Sequence, residues 1–463
     1  MRSFTSSLYR TFAVLALQLI FVTEIWARAG GGGGNSHYSS HGGGGGGGGF
    51  GLGFLLGFLL SHPLLALIVI IVIVAFGYFS KKGGDMTGDG DGSVPPVAGG
   101  GSFPEGLNAQ KVQNSFLSIQ DAWQKKDLKN VRRWISDGVY QRYTAQFGMM
   151  NKLSQVNKLG NIQIRGMRLA KISNDGAYQT ADVAVAFRMD DYFVSDKYPQ
   201  FNESFPGDEG MEYWTFIKRN DAKAGKDLYS TANCPNCGAP FETKMGEISR
   251  CGGCGTLTNN ASYDWVLSEI TQEDDYQGDD SMVENQELHE LTKHDDLFSV
   301  QRIEDVASNV FMQIMEVLTG DKDKKLSRFA DKDTAEKIRQ IKAQSGTFVF
   351  DRLFLNDVSL VDFNTESEKL NLEFSLTATY QRIQVTGDKL RLIDSDLTTH
   401  PYTMVLSKNL KALQTPAKET VYSYECSSCG APYNDTTDDV CTYCGEPVID
   451  LNKNWVLTDF RVG

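Results

Sequence analysis

The apolar positions change period along this chain, and the same order of changes occurs twice. Val112, Phe116, Ile119 and Trp123 recur at i, i+4, i+7 and i+11, the spacing of one helix face. Val131, Trp134 and Ile135 predict a second helix starting near Asp127, and a third is expected from about Val139 to Leu153. The period then falls to two. Strands are predicted over 162–172 and 180–189, where Val183, Val185, Phe187 and Met189 alternate with Ala and polar residues, and over 213–219, YWTFIKR. The phrase Trp265-Val266-Leu267 closes the series.

The order then returns. Val306, Val310, Ile314 and Leu318 form one helix face, and Asp321 and Asp331 flank a second helix with the spacing of Asp127 and Asp137. Strands are predicted over 352–362 and 370–385; Leu370, Leu372, Phe374, Leu376, Ala378 and Tyr380 share one face of the latter. YTMVLSK at 402–408 stands where YWTFIKR does, and Trp455-Val456-Leu457 repeats the closing phrase. Between the units, residues 273–293 read as an acidic linker containing Glu273-Asp274-Asp275 and Asp279-Asp280. Helices followed by a long antiparallel sheet predict an α+β class: two tandem cone-like domains, 106–272 and 294–463, each a curved sheet around its helices. Such a cone can hold an apolar pocket between helix and sheet. The plainer reading is that Phe116, Trp123 and Trp134 fill it.

All eight cysteines fall just before the closing phrases. Cys234, Cys237, Cys251 and Cys254 form one CxxC…CxxC set; Cys426, Cys429, Cys441 and Cys444 form another, and each pair is followed by Gly. A CxxC turn puts two sulfurs on one side of an ion, and a following Gly can take the positive φ that curls backbone amides toward them. Two such turns, 13 or 11 residues apart, read as a zinc ribbon at 234–254 and another at 426–444. The six histidines lie outside both sets, so two structural Zn2+ sites with four cysteine ligands each are expected. Disulfides, or a rubredoxin-like iron site with the same ligands, are the competing readings.

The first hundred residues have a different character. Residues 1–29 resemble an export signal or a first membrane segment: Arg2 and Arg10 precede an apolar run from Phe12 to Val22, and Ala27-Arg28-Ala29 fits a small-x-small cleavage pattern. Residues 30–49 form a Gly-rich linker, 50–80 a transmembrane helix strongest over 64–79 and interrupted by His62-Pro63, and 81–105 a second, polar linker. Lys81-Lys82 follows the span, whereas 30–49 has no Lys or Arg. The positive-inside rule therefore puts the C-terminal domains in the cytoplasm, a reducing compartment that suits thiolate ligands. The expected location is the plasma (inner) membrane, with a single span after signal removal.

The net charge of −13 opposes nucleic acid as the main partner, since phosphate binding needs a basic surface. The local strip Lys125, Lys126, Lys129, Arg132 and Arg133 reads as a solvated helix face.

The stretch from Phe116 through Ala122-Trp123, followed by Asp127-Leu128, Val131-Arg132-Arg133, Ser136-Asp137 and Tyr140, resembles the Tim forty-four-like domain family of the nuclear-transport-factor-two-like superfold. The likeness covers roughly 107–270. The second unit keeps the layout without the Ala-Trp and Asp-Leu phrases, and a cysteine ribbon is not part of the family's core pattern. The resemblance implies a membrane-associated adaptor: a mitochondrial relative tethers a chaperone motor to a protein-import channel, and bacterial relatives often carry an N-terminal membrane segment.

The expected function is therefore a non-enzymatic, membrane-tethered scaffold that binds protein partners, or lipid, at the cytoplasmic face and is linked to protein translocation or membrane-complex assembly. The alternatives are an enzyme or small-ligand binder using the cone, with Asp182 or Tyr140 as candidates, and a ribosome- or nucleic-acid-associated ribbon protein. Alternation puts Asp182 off the Val183/Val185/Phe187 face.

Overall fold

The computed structural model describes residues 26–28, 31–33 and 101–463, the last stretch excepting 224–226, 242–248, 296, 321–322, 346–347, 387–388, 415–425, 427–428, 430, 432–439, 448 and 453. The expected span 50–80, most of the expected signal and most of both linkers lie outside the described residues. None of the described helices is long and apolar enough to cross a membrane. Trp26–Arg28 (β1) and Gly31–Gly33 (β2) form a short antiparallel pair.

The first repeat begins with α1 (Ala109–Lys125). Asn108 caps it by accepting from the Lys111 N–H. Lys126, in the left-handed conformation, ends it, with N–H groups of Lys126 and Asp127 returned to Trp123 and Ala122 carbonyls. The expected second helix is only a 3-10 turn, Arg132–Trp134. α2 (Asp137–Lys152) follows, capped by Ser136. Four antiparallel strands come next in the order β3 (Gln155–Asp175), β4 (Tyr178–Ser195), β5 (Glu203–Arg219) and β6 (Val266–Gln272). They are longer than the apolar pattern predicts, because exposed polar residues at their ends still pair in the ladder.

The second repeat follows α3 (Gln286–Thr292) and runs α4 (Val300–Leu318), a 3-10 segment Asp323–Arg328, and α5 (Lys332–Ser345). Its strands are β7 (Phe348–Glu366), β8 (Lys369–Thr386), β9 (Lys389–Leu392), β10 (Thr398–Asn409) and β11 (Val456–Val462). The sheet order is β7-β8-β10-β11, with β9 pairing β8 outside that path.

The duplication extends to register. Ile135 bridges Leu267 in parallel, and Ala330 bridges Leu457 the same way. Each last strand carries a bulge at the same place, between Thr215 and Phe216 opposite β6 and between Val405 and Leu406 opposite β11. Lys218 lies over the Trp265 ring and Lys408 over the Trp455 ring. The Ser136 N–H donates to the Leu267 carbonyl as the Asp331 N–H donates to Leu457. Asp331 therefore matches Ser136, one residue before Asp137, and both are helix caps.

Phe116, Phe187 and Trp214 pack in the cone of the first repeat with ring centroids 5.4 Å apart in each pair involving Phe116. Trp123 is packed between Tyr143 and Phe147, and its N–H donates to Asn157 at 2.8 Å. Burying a Phe-sized side chain contributes about 1.5–3 kcal/mol, so the filled interior is what holds α1 against the sheet. Large side chains occupy the space in which a ligand pocket is conceivable.

Both repeats belong to one compact unit. Helix α2 packs on α4 and on β7. Ala145, Met149, Leu153, Tyr198 and Phe201 of the first repeat join the core of the second. Gly138 permits the α2–α4 approach: a Cβ there would lie 2.1 Å from Asp305 Oδ1 and 2.6 Å from its carbonyl oxygen.

Candidate metal centres and the cleft between the repeats

Each cysteine set sits on a connection between the last two strands of its repeat. Gly238, Gly255 and Gly445 have φ of +74°, +71° and +74°. A Cβ at any of them would meet nothing within 4 Å, so conformation rather than space demands glycine. The Cys234 and Cys251 N–H groups donate to the Ala239 and Thr256 carbonyls, and those of Gly238 and Gly255 return to Cys234 and Cys251. Cys426, Cys441 and Gly445 repeat the pattern.

In each set all four sulfurs lie within 4.8 Å of one another. Cys234 Sγ is 3.7 Å from Cys254 and Cys237 Sγ 3.8 Å from Cys251; in the second set Cys426–Cys444 is 3.3 Å and Cys429–Cys441 3.8 Å. A disulfide needs about 2.05 Å. Four thiolates about 2.3 Å from a central ion are separated by roughly 3.8 Å at the corners of a tetrahedron. The donor sets therefore fit a four-coordinate ion, which either group could hold. The first cysteine of each pair is buried and the second exposed, in both ribbons. The Thr256 hydroxyl, 3.2 Å from Cys254 Sγ, and its backbone hold that thiol down at about 6, aided by Asn236.

The first ribbon is rooted in the helical layer. Tyr229 stacks on Trp134 at 4.8 Å and donates its hydroxyl to the Trp265 carbonyl at 2.7 Å. Arg133 donates to the Leu228 and Tyr229 carbonyls. Asn259 donates to Asp137 at 2.9 Å, and Asp137 pairs with buried Arg132. The basic strip seen in sequence is thus divided. Lys125 and Lys129 pair with nearby Asp121 and Asp127 on the exposed side, whereas Lys126 reaches the Gln155 carbonyl and the two arginines anchor the ribbon and α2.

Both enzyme candidates are engaged by neighbouring side chains, and Tyr140 also packs against the core of the first repeat. The Tyr140 ring lies under the Arg132 guanidinium at 4.5 Å. Asp182 accepts from Thr215 at 2.9 Å and Tyr276 at 2.8 Å on the outer face of the sheet. There it borders a cavity of about 320 Å³ between the repeats. Its walls come from β3, β4, β5 and β6 of the first repeat, the 275–283 segment, and α4 and β7 of the second. Tyr276 stacks on Tyr213 at 3.6 Å and Asn356 donates to Asp275 at 3.0 Å, which ties this acidic segment to both repeats. The cleft is invisible to single-repeat reasoning, because its walls lie far apart in sequence. The run of aspartates at 274–280 is its one sequence signal.

The family model for the Tim44-like domain matches residues 102–225. The first repeat thus carries a Tim44-like domain, from the residues leading into α1 to the exit of β5. Its helix-plus-antiparallel-sheet architecture agrees with that assignment. The second repeat is joined to it by element order and register rather than by that match. No curated protein and no solved structure matches the chain.

Proposed function

We propose that this protein is a non-enzymatic scaffold tethered to the inner membrane, presenting its paired repeats to protein partners on the cytoplasmic side. One observation carries the reading: the cone of the Tim44-like repeat is filled by Phe116, Phe187 and Trp214, while the two repeats pack into one compact unit through the α2–α4 contact. A packed interior leaves recognition to the outer surface, as in a docking module. The Tim44-like match supports a membrane-associated adaptor role at the level of the family. The apolar segment 50–80 followed by Lys81-Lys82 supports the tether and its orientation. Zinc is the ion proposed for both cysteine sets, since two closed all-thiolate sites suit a structural role. Linkage to protein translocation or membrane-complex assembly is the finer form of this proposal.

The test is proximity labelling from the C-terminus in intact cells, alongside a variant lacking residues 50–80. A defined set of cytoplasmic and membrane neighbours, lost when the segment is removed, supports the scaffold. Unchanged neighbours and unchanged membrane fractionation in the deletion variant would sink it.

A further inference from the structure

The cleft between the repeats concentrates negative charge from three directions. The first repeat contributes Asp175, Asp182 and Glu269 to its walls. The connecting segment contributes Asp275, Asp279 and Asp280, and the second repeat Glu304 and Asp357. Against these, Lys171 is the lining cation, and Arg142 reaches Glu269 from α2 at 3.1 Å.

The carboxylates are not arranged to share a metal ion. Among the described residues, the groups of three or more potential ligands that converge within metal-binding distance are the two cysteine sets. Of the cleft acids, Glu269 alone forms an ion pair among the described residues, with Arg142. Glu304, 8% exposed, accepts the Leu360 N–H at 2.8 Å, and no cation among the described residues forms an ion pair with it. Asp357 accepts from the nearby Ser359 hydroxyl. Charges brought together in a half-enclosed, low-dielectric space repel strongly, and protons are the remaining means of neutralising them.

We propose that the seam between the two repeats is a proton-sensitive joint, which closes when the carboxylates facing this cleft are protonated and loosens when they ionise. The geometry makes the repulsion act across the seam. Glu304 on α4 faces Asp280 of the connecting segment, Glu269 of β6 and Asp357 of β7. Asp357 in turn faces Glu269 and Asp275, with Arg142 as the opposing cation. Asp280 has Asp279 beside it and Lys171 of β3 opposite. Asp182 of β4 faces Lys171 and Glu269. The pairs of Glu304 with Glu269 and of Asp357 with Glu269 cross from one repeat to the other, and Asp275 and Asp280 bring the connecting segment against the second repeat.

Burial, the larger cause, and these like charges push Glu304 well above the ordinary carboxylate range. Asp175 and Asp357 are pushed up to about 6, chiefly by burial. In an opened seam these groups return to ordinary values near about 4. The closed form therefore holds its protons more tightly. Its advantage is full below about pH 4 and is lost as pH rises through about 6.

Hydrogen exchange on the full chain, corrected for the intrinsic pH dependence of exchange, tests this at about pH 5 and about pH 8. Protection in Thr271–Val283 and Asp357–Val361 should fall at least about tenfold on going to the higher pH, while the Leu370–Tyr380 stretch of β8 should not change. The double variant Glu304→Gln/Asp357→Asn should stay protected at both values. A second variant works in the opposite direction: Lys171→Gln removes the lining cation without adding bulk and should loosen the same two segments further than wild type at about pH 8, where the carboxylates are ionised. Equal wild-type protection at both pH values overturns the joint. So does a pH dependence that survives in the double variant, or a Lys171→Gln protein as protected as wild type at about pH 8.

Discussion

Asp305 of the second repeat accepts the backbone N–H of Gly138 in the first, at 3.2 Å, and its other oxygen accepts the hydroxyl of Ser136. One carboxylate thus caps a helix belonging to the neighbouring repeat. The relationship is reciprocated: Asp175, at the end of β3, accepts the N–H groups of Val300 and Gln301 at 2.8 and 2.9 Å and caps α4. Exposed N–H groups at a helix start favour a negative or accepting partner. Each repeat supplies the other with one, so neither helix start is complete without its neighbour.

Gly138→Ala should therefore be costly out of proportion to one methyl group. The added carbon would overlap both the carboxylate and the carbonyl of Asp305, and overpacking of this kind typically costs about 1–3 kcal/mol. Urea unfolding should show the loss, and Gly148→Ala, where a Cβ meets nothing within 4 Å, should show none of comparable size.

Stability should also fall as pH rises through neutrality, and Asp305 should account for part of the slope. Burial, with help from Asp137, pushes its carboxyl up to about 7, above its ordinary unfolded value. The folded protein thus binds this proton more tightly than the unfolded chain. The contribution is full below about pH 4 and is lost as pH approaches and passes about 7, at no more than about 1.4 kcal/mol per pH unit. Unfolding free energies measured across that range should decline with pH in the wild type, and Asp305→Asn should flatten the decline. A slope unchanged by the substitution would contradict this account.

Metal content offers a third check. The purified, reduced protein should hold two ions per chain in four-sulfur coordination, read by elemental analysis and X-ray absorption. Cys237→Ser should reduce the content to one. Because Tyr229 stacks on Trp134 at the root of the first ribbon, that loss should also change tryptophan fluorescence, whereas Cys429→Ser should leave the Trp134 contribution intact. A protein that retains full metal after both substitutions would refute the ligand assignment.

Gln120 marks a site where stability can be gained. It is fully buried on α1, and neither its oxygen nor its nitrogen has a hydrogen-bond partner among the described residues. An unsatisfied buried amide costs about 1–3 kcal/mol. Gln120→Leu, close in size and apolar, should raise the unfolding midpoint in denaturant. A fall would mean that the amide is satisfied by water within the cone.

Much of this architecture was legible in the chain. The helix face Val112/Phe116/Ile119/Trp123 is buried as its spacing predicts, and Val183, Val185, Phe187 and Met189 line the core side of β4. The second helix expected in each repeat is a 3-10 segment in the structure. Val131, Trp134 and Ile135 have helical spacing, yet the segment makes only a 3-10 turn, because its side chains are distributed among the core, the ribbon root and the Arg132–Asp137 pair. The match of Asp331 to Asp137 was off by one, since both Ser and Asp serve as helix caps and spacing alone does not distinguish a cap from the residue after it.

Local features needed only the sequence. Periodicity sets which face of each element turns inward, and the CxxCG turns set their own geometry through a few adjacent residues and one positive φ. Their repetition in order is enough to show a duplication. How the two copies meet was decided by tertiary structure. The mutual helix caps, the close approach at Gly138 and the acidic cleft all join residues more than a hundred positions apart. Their energies depend on burial and on neighbouring charge, which exist only once both repeats have folded against each other.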